Sequence, residues 1–261
     1  MVSYEKTFAN DYHFKAMVGH NLYQEEWKNE NVQAQNLVVD GLYTYTNAKS
    51  TTPVNYYEKK RLVGLYGDIS LGYKDMLFVN VTGRNDWSST LPSETRSYFY
   101  PAVSGSIIMS QLLKMPEWLN FWKLRGAWTV TKSDLGIYDT NQAYSVSTNV
   151  WDGMNTAVYP EMIRSTTLEP TAARSYEIGT AFNVWDNRLR FDISYYNKLK
   201  YNLTREATIS GSSGFTKTLV NYDEEQVRRG VEVSLTASLI QTKDWNWDCL
   251  LYTSPSPRDG A

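Results

Sequence analysis

The chain's side chains alternate with a period of two over runs too long for an ordinary soluble sheet. From Asp75 to Ser110 it reads DMLFVNVTGRNDWSSTLPSETRSYFYPAVSGSIIMS. Leu77, Val79 and Val81 alternate with Met76, Phe78, Asn80 and Thr82, a polar stretch follows around Trp87, and Ser97-Tyr98-Phe99-Tyr100-Pro101 opens a second run. Successive side chains of a strand point to opposite faces, so such a segment has two different faces. Leu189, Phe191, Ile193 and Tyr195 stand against Arg190, Asp192 and Ser194 in the same way, and Val231, Val233 and Leu235 against Glu232, Ser234 and Thr236. Tyr176, Ile178, Phe182 and Val184 form another such set, and Trp122, Leu124, Trp128 and Val130 another. Helical periodicity is weak, with one short helical turn expected between Gln111 and Asn120.

The pattern predicts strands over 2–8, 12–23, 60–71, 75–85, 97–110, 120–131, 173–184, 188–199, 227–240 and 245–251. The connections then alternate between short and long. The short ones include Gly72-Tyr73-Lys74, Trp185-Asp186-Asn187 and Gln241-Thr242-Lys243-Asp244, whose Gly, Asn and Asp suit tight reversals. An antiparallel sandwich also alternates apolar and polar residues, but it distributes long and short loops over both ends. An up-and-down membrane barrel places short turns at one end and long loops at the other. About 9–11 tilted residues cross the hydrocarbon, and these strands exceed that. Tyr23, Tyr98, Tyr100, Trp122, Trp185, Tyr195, Tyr196 and Tyr201 lie near strand ends, where amphipathic rings suit a lipid–water boundary. The fold class expected is therefore all-β, an antiparallel up-and-down transmembrane β-barrel, present in part as about ten strands. Lys123, Arg125, Arg190, Asp192, Glu232 and Ser234 belong on its concave side. Leu189, Phe191, Ile193, Val231, Val233 and Leu235 belong on its convex, lipid side.

Composition excludes other classes. Twenty-six basic and 28 acidic residues leave a net charge of -2, with no footprint for nucleic acid. Aromatic residues reach 14%, including 20 Tyr and 9 Trp. No apolar run approaches the length of a membrane-spanning helix. The start, Met1-Val2-Ser3-Tyr4-Glu5-Lys6, lacks the apolar core of a signal peptide, so the protein is either cytoplasmic or continues upstream of Met1.

Candidate sites are few. His13 and His20 fall on opposite faces of one strand and lack further His or Cys nearby, so no metal site is expected. Gly211-Ser212-Ser213-Gly214 lacks the spacing of a nucleophile elbow and reads as a loop. Asp223-Glu224-Glu225 beside Arg228 and Arg229 reads as a solvated face. No catalytic residue and no cofactor is assigned. The expected recognition groups are Asn85, Asp86 and Trp87 in one long loop and Trp151, Asp152, Asn155 and Tyr159 in another. Their rings could stack on sugars or peptides, and their amides and carboxylates could bond hydroxyls or a lid protein.

Four segments together resemble one family. SLGYKDMLFVNVTGRNDWSSTLPSETRSYFYPAVSGS is the most specific; WLNFWKLRGAWTVTKSDLGIYDTNQAY, LEPTAARSYEIGTAFNVWDNRLRFDISYYNK and RRGVEVSLTASLIQTKDWNWD follow in order. They resemble SusC/RagA-type TonB-dependent transporters of Bacteroidetes outer membranes, over nearly all of residues 1–248. The resemblance implies a large plugged barrel of about 22 strands, of which this chain supplies about ten. It implies a TonB-linked importer of oligosaccharides or peptides, working with a SusD-like lipoprotein, TonB and outer-membrane lipid, and no covalent reaction. The family's signal peptide, carboxypeptidase-like domain, TonB box, plug and last strands do not appear. A passive outer-membrane porin or adhesin barrel is the alternative reading. A soluble β-rich carbohydrate-active protein is a third, and requires a paired-carboxylate cleft that the sequence does not offer. Two domains follow: residues 1–248 as partial barrel, and residues 249–261 as a non-native tail. CLLYTSPSPRD resembles a translated sequencing adapter, its prolines stop ladder pairing, and it holds the chain's only Cys, Cys249. Residues from Cys249 onward are expected to pack against nothing in particular. Expressed alone, the ten strands are expected neither to form a pore nor to stay soluble, because open edges are costly in hydrocarbon.

Overall fold

The computed structural model describes residues 1–253, with the backbone alone at residues 147–150. Its strands are β1 (Val2–Phe8), β2 (Tyr12–Leu37), β3 (Ala48–Tyr73), β4 (Leu77–Ser88), β5 (Ser97–Ile108), β6 (Leu119–Ser133), β7 (Ser145–Trp151), β8 (Met154–Val158), β9 (Met162–Ile163), β10 (Thr171–Val184), β11 (Leu189–Tyr201), β12 (Leu203–Thr208), β13 (Lys217–Tyr222), β14 (Gln226–Gln241) and β15 (Asn246–Tyr252). One antiparallel sheet holds ten of them in chain order, β1-β2-β3-β4-β5-β6-β10-β11-β14-β15. No pairing joins β1 to β15 among the described residues, so the sheet is open. The only α-helix among these residues is one turn, Met109–Leu112, slightly ahead of the expected segment.

The turns at one end are tight. Ala9 and Asn10, Lys74 and Asp75, and Trp185, Asp186 and Asn187 all have positive φ. Asn and Asp tolerate this because their short polar side chains bond locally. The β3–β4 reversal therefore falls at Lys74-Asp75-Met76, not at Gly72-Tyr73-Lys74. Gly72 stays in the ladder, opposite His13 and Phe78. At the other end lie the long connections, which carry β7–β8 as a hairpin and β9, β12 and β13 as a small second sheet.

Register decides the faces. Ser106 pairs with Arg125, Arg125 with Gly179, Gly179 with Ser194 and Ser194 with Glu232. A cavity of about 620 Å³ is lined by Ser106 and Arg125 of this set together with residues of seven neighbouring strands, from Glu5 and Thr7 on β1 to Glu177 on β10. Strands so far apart in one sheet share a cavity only on its concave side. Lys123, Arg125, Arg190, Asp192, Glu232 and Ser234 share that parity, and Leu189, Phe191, Ile193, Val231, Val233 and Leu235 have the opposite one. The convex face shows Leu65, Ile69, Leu71, Val103, Ile178 and Val231 bare, with Ile178 64% exposed. Among the described residues no second sheet covers it, as a sandwich would require. Rings mark both rims of this face, with Tyr12 and Tyr73 in contact at 4.7 Å at the turn end and Trp87 and Phe99 at the loop end.

Two expectations are corrected. Strands β2 and β3 run 26 residues each, so the long connection expected between residues 23 and 60 is mostly ladder, with its tip at 38–47. The arm was illegible because both faces are polar where it stands clear of the hydrocarbon. Cross-strand pairs hold it instead: Glu26 opposite Lys59, Arg61 Nε donating to Gln24 at 2.8 Å, and Trp27 edge-on to Tyr56 at 5.5 Å. At the other end, the residues from Cys249 onward, expected to pack against nothing, continue β15, close to the expected strand 245–251. Cys249, Leu250, Leu251 and Tyr252 pair with Ala237, Thr236, Leu235 and Ser234. An antiparallel ladder is made of backbone groups, so it extends wherever a neighbouring edge is free, and all seven side chains of β15 are exposed. Pro255 and Pro257 lie outside the described residues.

Candidate functional site

The alternation that makes the membrane wall continues above it and builds the loop-end site. Arg84 and Asp86 follow Asn80 and Thr82 on the concave face of β4, so Asn85 and Trp87 face outward. Asp86 is 5% exposed. It accepts from Arg84 Nε at 2.8 Å and from the Tyr100 hydroxyl at 2.7 Å. Gly64 on β3 makes the room, since a Cβ there would stand 2.7 Å from Arg84 Nη2. Tyr98 stacks on Tyr100 at 6.1 Å, which carries this cluster into the loops.

Above it, three connections meet. Leu91 from the β4–β5 loop, Tyr98, Leu135 and Leu168 from the β6–β10 connection, and Leu219 from β13 form one buried cluster. Leu168 is 1% exposed. Polar groups fasten its rim. Asp134 accepts from Ser88 Oγ at 2.6 Å and from Lys60 Nζ at 2.9 Å, tying β3, β4 and the end of β6. Thr95 Oγ1 donates to the Leu168 carbonyl at 2.5 Å. The Asn221 side chain accepts from the Glu169 N–H at 2.7 Å and donates to its carbonyl at 2.9 Å. Buried polar groups satisfied in this way fix loop positions that a solvated loop would not hold. On the arm above the membrane, the Lys59 ammonium bonds Glu26 and holds its carboxyl below the usual range, chiefly through the hydrogen bond and then through charge.

The expected recognition residues are dispersed. Asn85, Asp86 and Trp87 lie in β4, which runs to Ser88, not in a loop. Asp86 points inward and is already bonded; Asn85 donates to Ser97 Oγ at 3.1 Å, and Trp87 is 38% exposed at the outer rim. Trp151, Asp152 and Asn155 sit in the β7–β8 hairpin. Asp152 and Gly153, with φ of 47° and 77°, form its two-residue turn. Trp151 is 76% exposed there. Tyr159 packs instead between Tyr144 and Phe215, at 5.6 Å and 5.1 Å. Arg84 and Asp134 were not singled out from sequence, and Tyr100, expected as a boundary ring, faces inward to Asp86 instead. Extending the Asn80–Thr82 parity by two and four residues would have placed Arg84 and Asp86 together; no sequence signal links Asp134 to Ser88. His13 and His20 oppose Gly72 and Leu65 and face opposite sides, and no cluster of three metal-ligating side chains occurs among the described residues.

A single up-and-down sheet, polar within and apolar without, with turns at one end and fastened loops at the other, is the wall of a transmembrane β-barrel. No helix among the described residues is long and apolar enough to cross a membrane, which says nothing about strands. The family described as TonB dependent receptor-like, beta-barrel matches residues 2–256, and the chain belongs to it. It is thus an outer-membrane chain of a transporter and receptor family, not an enzyme. TonB-dependent receptor P26 of Formosa agariphila is 22% identical over 202 residues, 76% of this chain and 20% of the relative. The RagAB peptide transporter superposes with a TM-score of 0.78 at 19% identity, covering 96% of this chain and 29% of that one. The siderophore receptor PirA from Pseudomonas aeruginosa gives 0.56 at 11% identity, covering 96% and 41%. These likenesses show the fold, and the chain spans less than a third of both P26 and the RagAB chain.

Proposed function

We propose that this chain is part of the barrel of a SusC/RagA-type importer in the outer membrane. The whole protein would take up an oligosaccharide or peptide beneath a SusD-like lipoprotein, driven through TonB. The observation that supports this best is the fastened loop shelf around Leu168 standing over a continuous polar concave wall. A passage needs a polar wall, and a lid needs a rigid seat. The higher TM-score to RagAB than to the siderophore receptor favours the same subclass. Trp151, Asp152 and Asn155, at the exposed hairpin, and Tyr159 at its base, are the proposed contacts with substrate or lid; Trp87 is proposed as a rim anchor. Residues 249–261 are proposed as a tail foreign to the barrel, which sequencing the gene through its 3′ end in the source genome tests.

The function is tested by deleting the full-length gene in its host and complementing it with wild type or with a variant lacking the TonB-interacting segment. Uptake restored only by wild type, together with co-purification of the lipoprotein encoded beside it, is the expected result. Equal uptake with both would make the protein a passive pore.

A further inference from the structure

The ladder between β3 and β4 ends at Leu62 opposite Ser88, while β3 continues to Ala48. Beyond that point β3 has β2 on one side and, among the described residues, no strand on the other. One further exchange closes the ladder: Arg61 donates to Ser89 Oγ, and its carbonyl accepts from the Ser89 N–H, both at 2.9 Å. Backbone groups alternate in direction along a strand. Lys59, Tyr57 and Asn55 therefore turn their N–H and C=O groups toward the same open side as Arg61. Among the described residues no loop backbone group bonds to them there. A cleft of about 410 Å³ lies against this edge, lined by Tyr57, Lys59, Ser89, Thr90, Tyr138 and Asn141.

We infer that this edge is a peptide-binding site that takes an extended chain as an added antiparallel strand, continuing the line of β4. The inference rests on the import reading and narrows its substrate to peptides. Three features of the edge carry it. Asn55, Tyr57 and Lys59 offer three N–H and three C=O groups in ladder register, enough for a short strand. Pro53, next in the same parity, lacks an N–H and ends the template, so the edge admits one short segment and does not seed open-ended pairing. The 137–141 segment stands across the cleft, so the added strand has a second wall. Recognition through backbone groups tolerates varied side chains, whereas a glycan has no ladder to offer.

The probe is an eight-residue peptide of alternating Thr and Val, and a copy N-methylated at every residue so that neither of its edges can donate, titrated by fluorescence polarisation against the full-length transporter in detergent. The unmodified peptide is expected to bind at least tenfold more tightly. Tyr57→Pro removes an N–H from the open edge and none from the β2 ladder, so it is expected to weaken binding by a similar factor. The methylated peptide leaves the protein untouched, so the comparison does not depend on how that variant folds. Equal affinity for the two peptides, or no binding of either, overturns the edge site. TonB-dependent uptake is read separately in cells. Glycan uptake without peptide binding removes this inference and leaves import standing; peptide binding without TonB-dependent uptake does the reverse.

Discussion

Arg125 reaches Asp192 across the intervening strand β10 because Gly179 lies beneath its guanidinium. Its Nη1 and Nη2 donate to the two carboxylate oxygens of Asp192 at 2.8 Å and 2.7 Å. A Cβ at position 179 would stand 2.7 Å from both Cζ and Nε of Arg125. Glu177 lies beside the same guanidinium, with Oε1 3.7 Å from Nε. A bidentate pair is geometrically specific, so raising the guanidinium by even a methyl radius separates its two bonds.

Gly179→Ala in the full-length barrel should therefore cost about 1–3 kcal/mol, as crowding a well-packed contact does. The cost should shrink to a few tenths when Arg125 is also replaced by Ala, because the two changes act on one contact. Urea unfolding of the barrel from lipid vesicles, read by Trp emission, checks both values. An undiminished cost in the double variant would show that Gly179 serves the backbone and not Arg125.

Asp86 gives a sharper test of the loop-end cluster. Its carboxylate is nearly inaccessible and accepts from Arg84 and Tyr100. Tyr100→Phe removes one hydrogen bond to a charged group, about 1.5–3 kcal/mol. Asp86→Ala also leaves the half-buried Arg84 unpaired and should cost more than Tyr100→Phe. The order of the two midpoints in heat-modifiability gels checks the assignment, and the reverse order would remove Asp86 as the centre of the cluster.

The two faces of the wall were legible because lipid outside and water inside impose opposite demands on residues one apart, as at Asp192 and Ile193. The same rule was silent for residues 24–59, where both faces of the arm meet water and the strand carries no apolar stripe. It also explains the misplacement of Asn85 and Trp87. Polar residues after Val81 read as a loop, yet β4 continues beyond the lipid and keeps its parity through Ser88. The leucine cluster was beyond sequence reasoning for another reason. Leu91 and Leu219 lie far apart in the chain, and neither belongs to a periodic run.

Leu168 is the most buried residue of that cluster and lies in a connection, not in a strand. Leu168→Ala should cost about 2–5 kcal/mol of local stability, as cavity-forming changes at buried sites do. The membrane wall should keep its ladders, because Tyr98 alone of the buried cluster residues lies in them, at the loop end of β5. The expected outcome is rapid protease nicking within residues 134–170 and 202–225 of a barrel that remains heat-modifiable. Loss of heat-modifiability would show instead that the loops and the wall fold as one unit.

The arm should loosen in acid. Glu26 stands above the membrane opposite Lys59, and hydrogen bonding to the ammonium lowers its pKa from the ordinary 4.5. A carboxyl whose folded pKa is depressed stabilises the fold above its ordinary value, and that contribution disappears as pH falls through the lowered one. The pair should thus be intact at pH 7 and lost as the pH falls below the ordinary carboxylate range. Amide exchange along residues 24–37 and 48–61, expressed as protection relative to the free chain, should fall over that interval while β6, β10 and β11 keep theirs. Glu26→Gln should show the lower protection already at pH 7 and little further change on acidification. If the variant keeps wild-type protection at pH 7, the Trp27–Tyr56 contact and the ladder itself hold the arm, and the ion pair contributes nothing measurable.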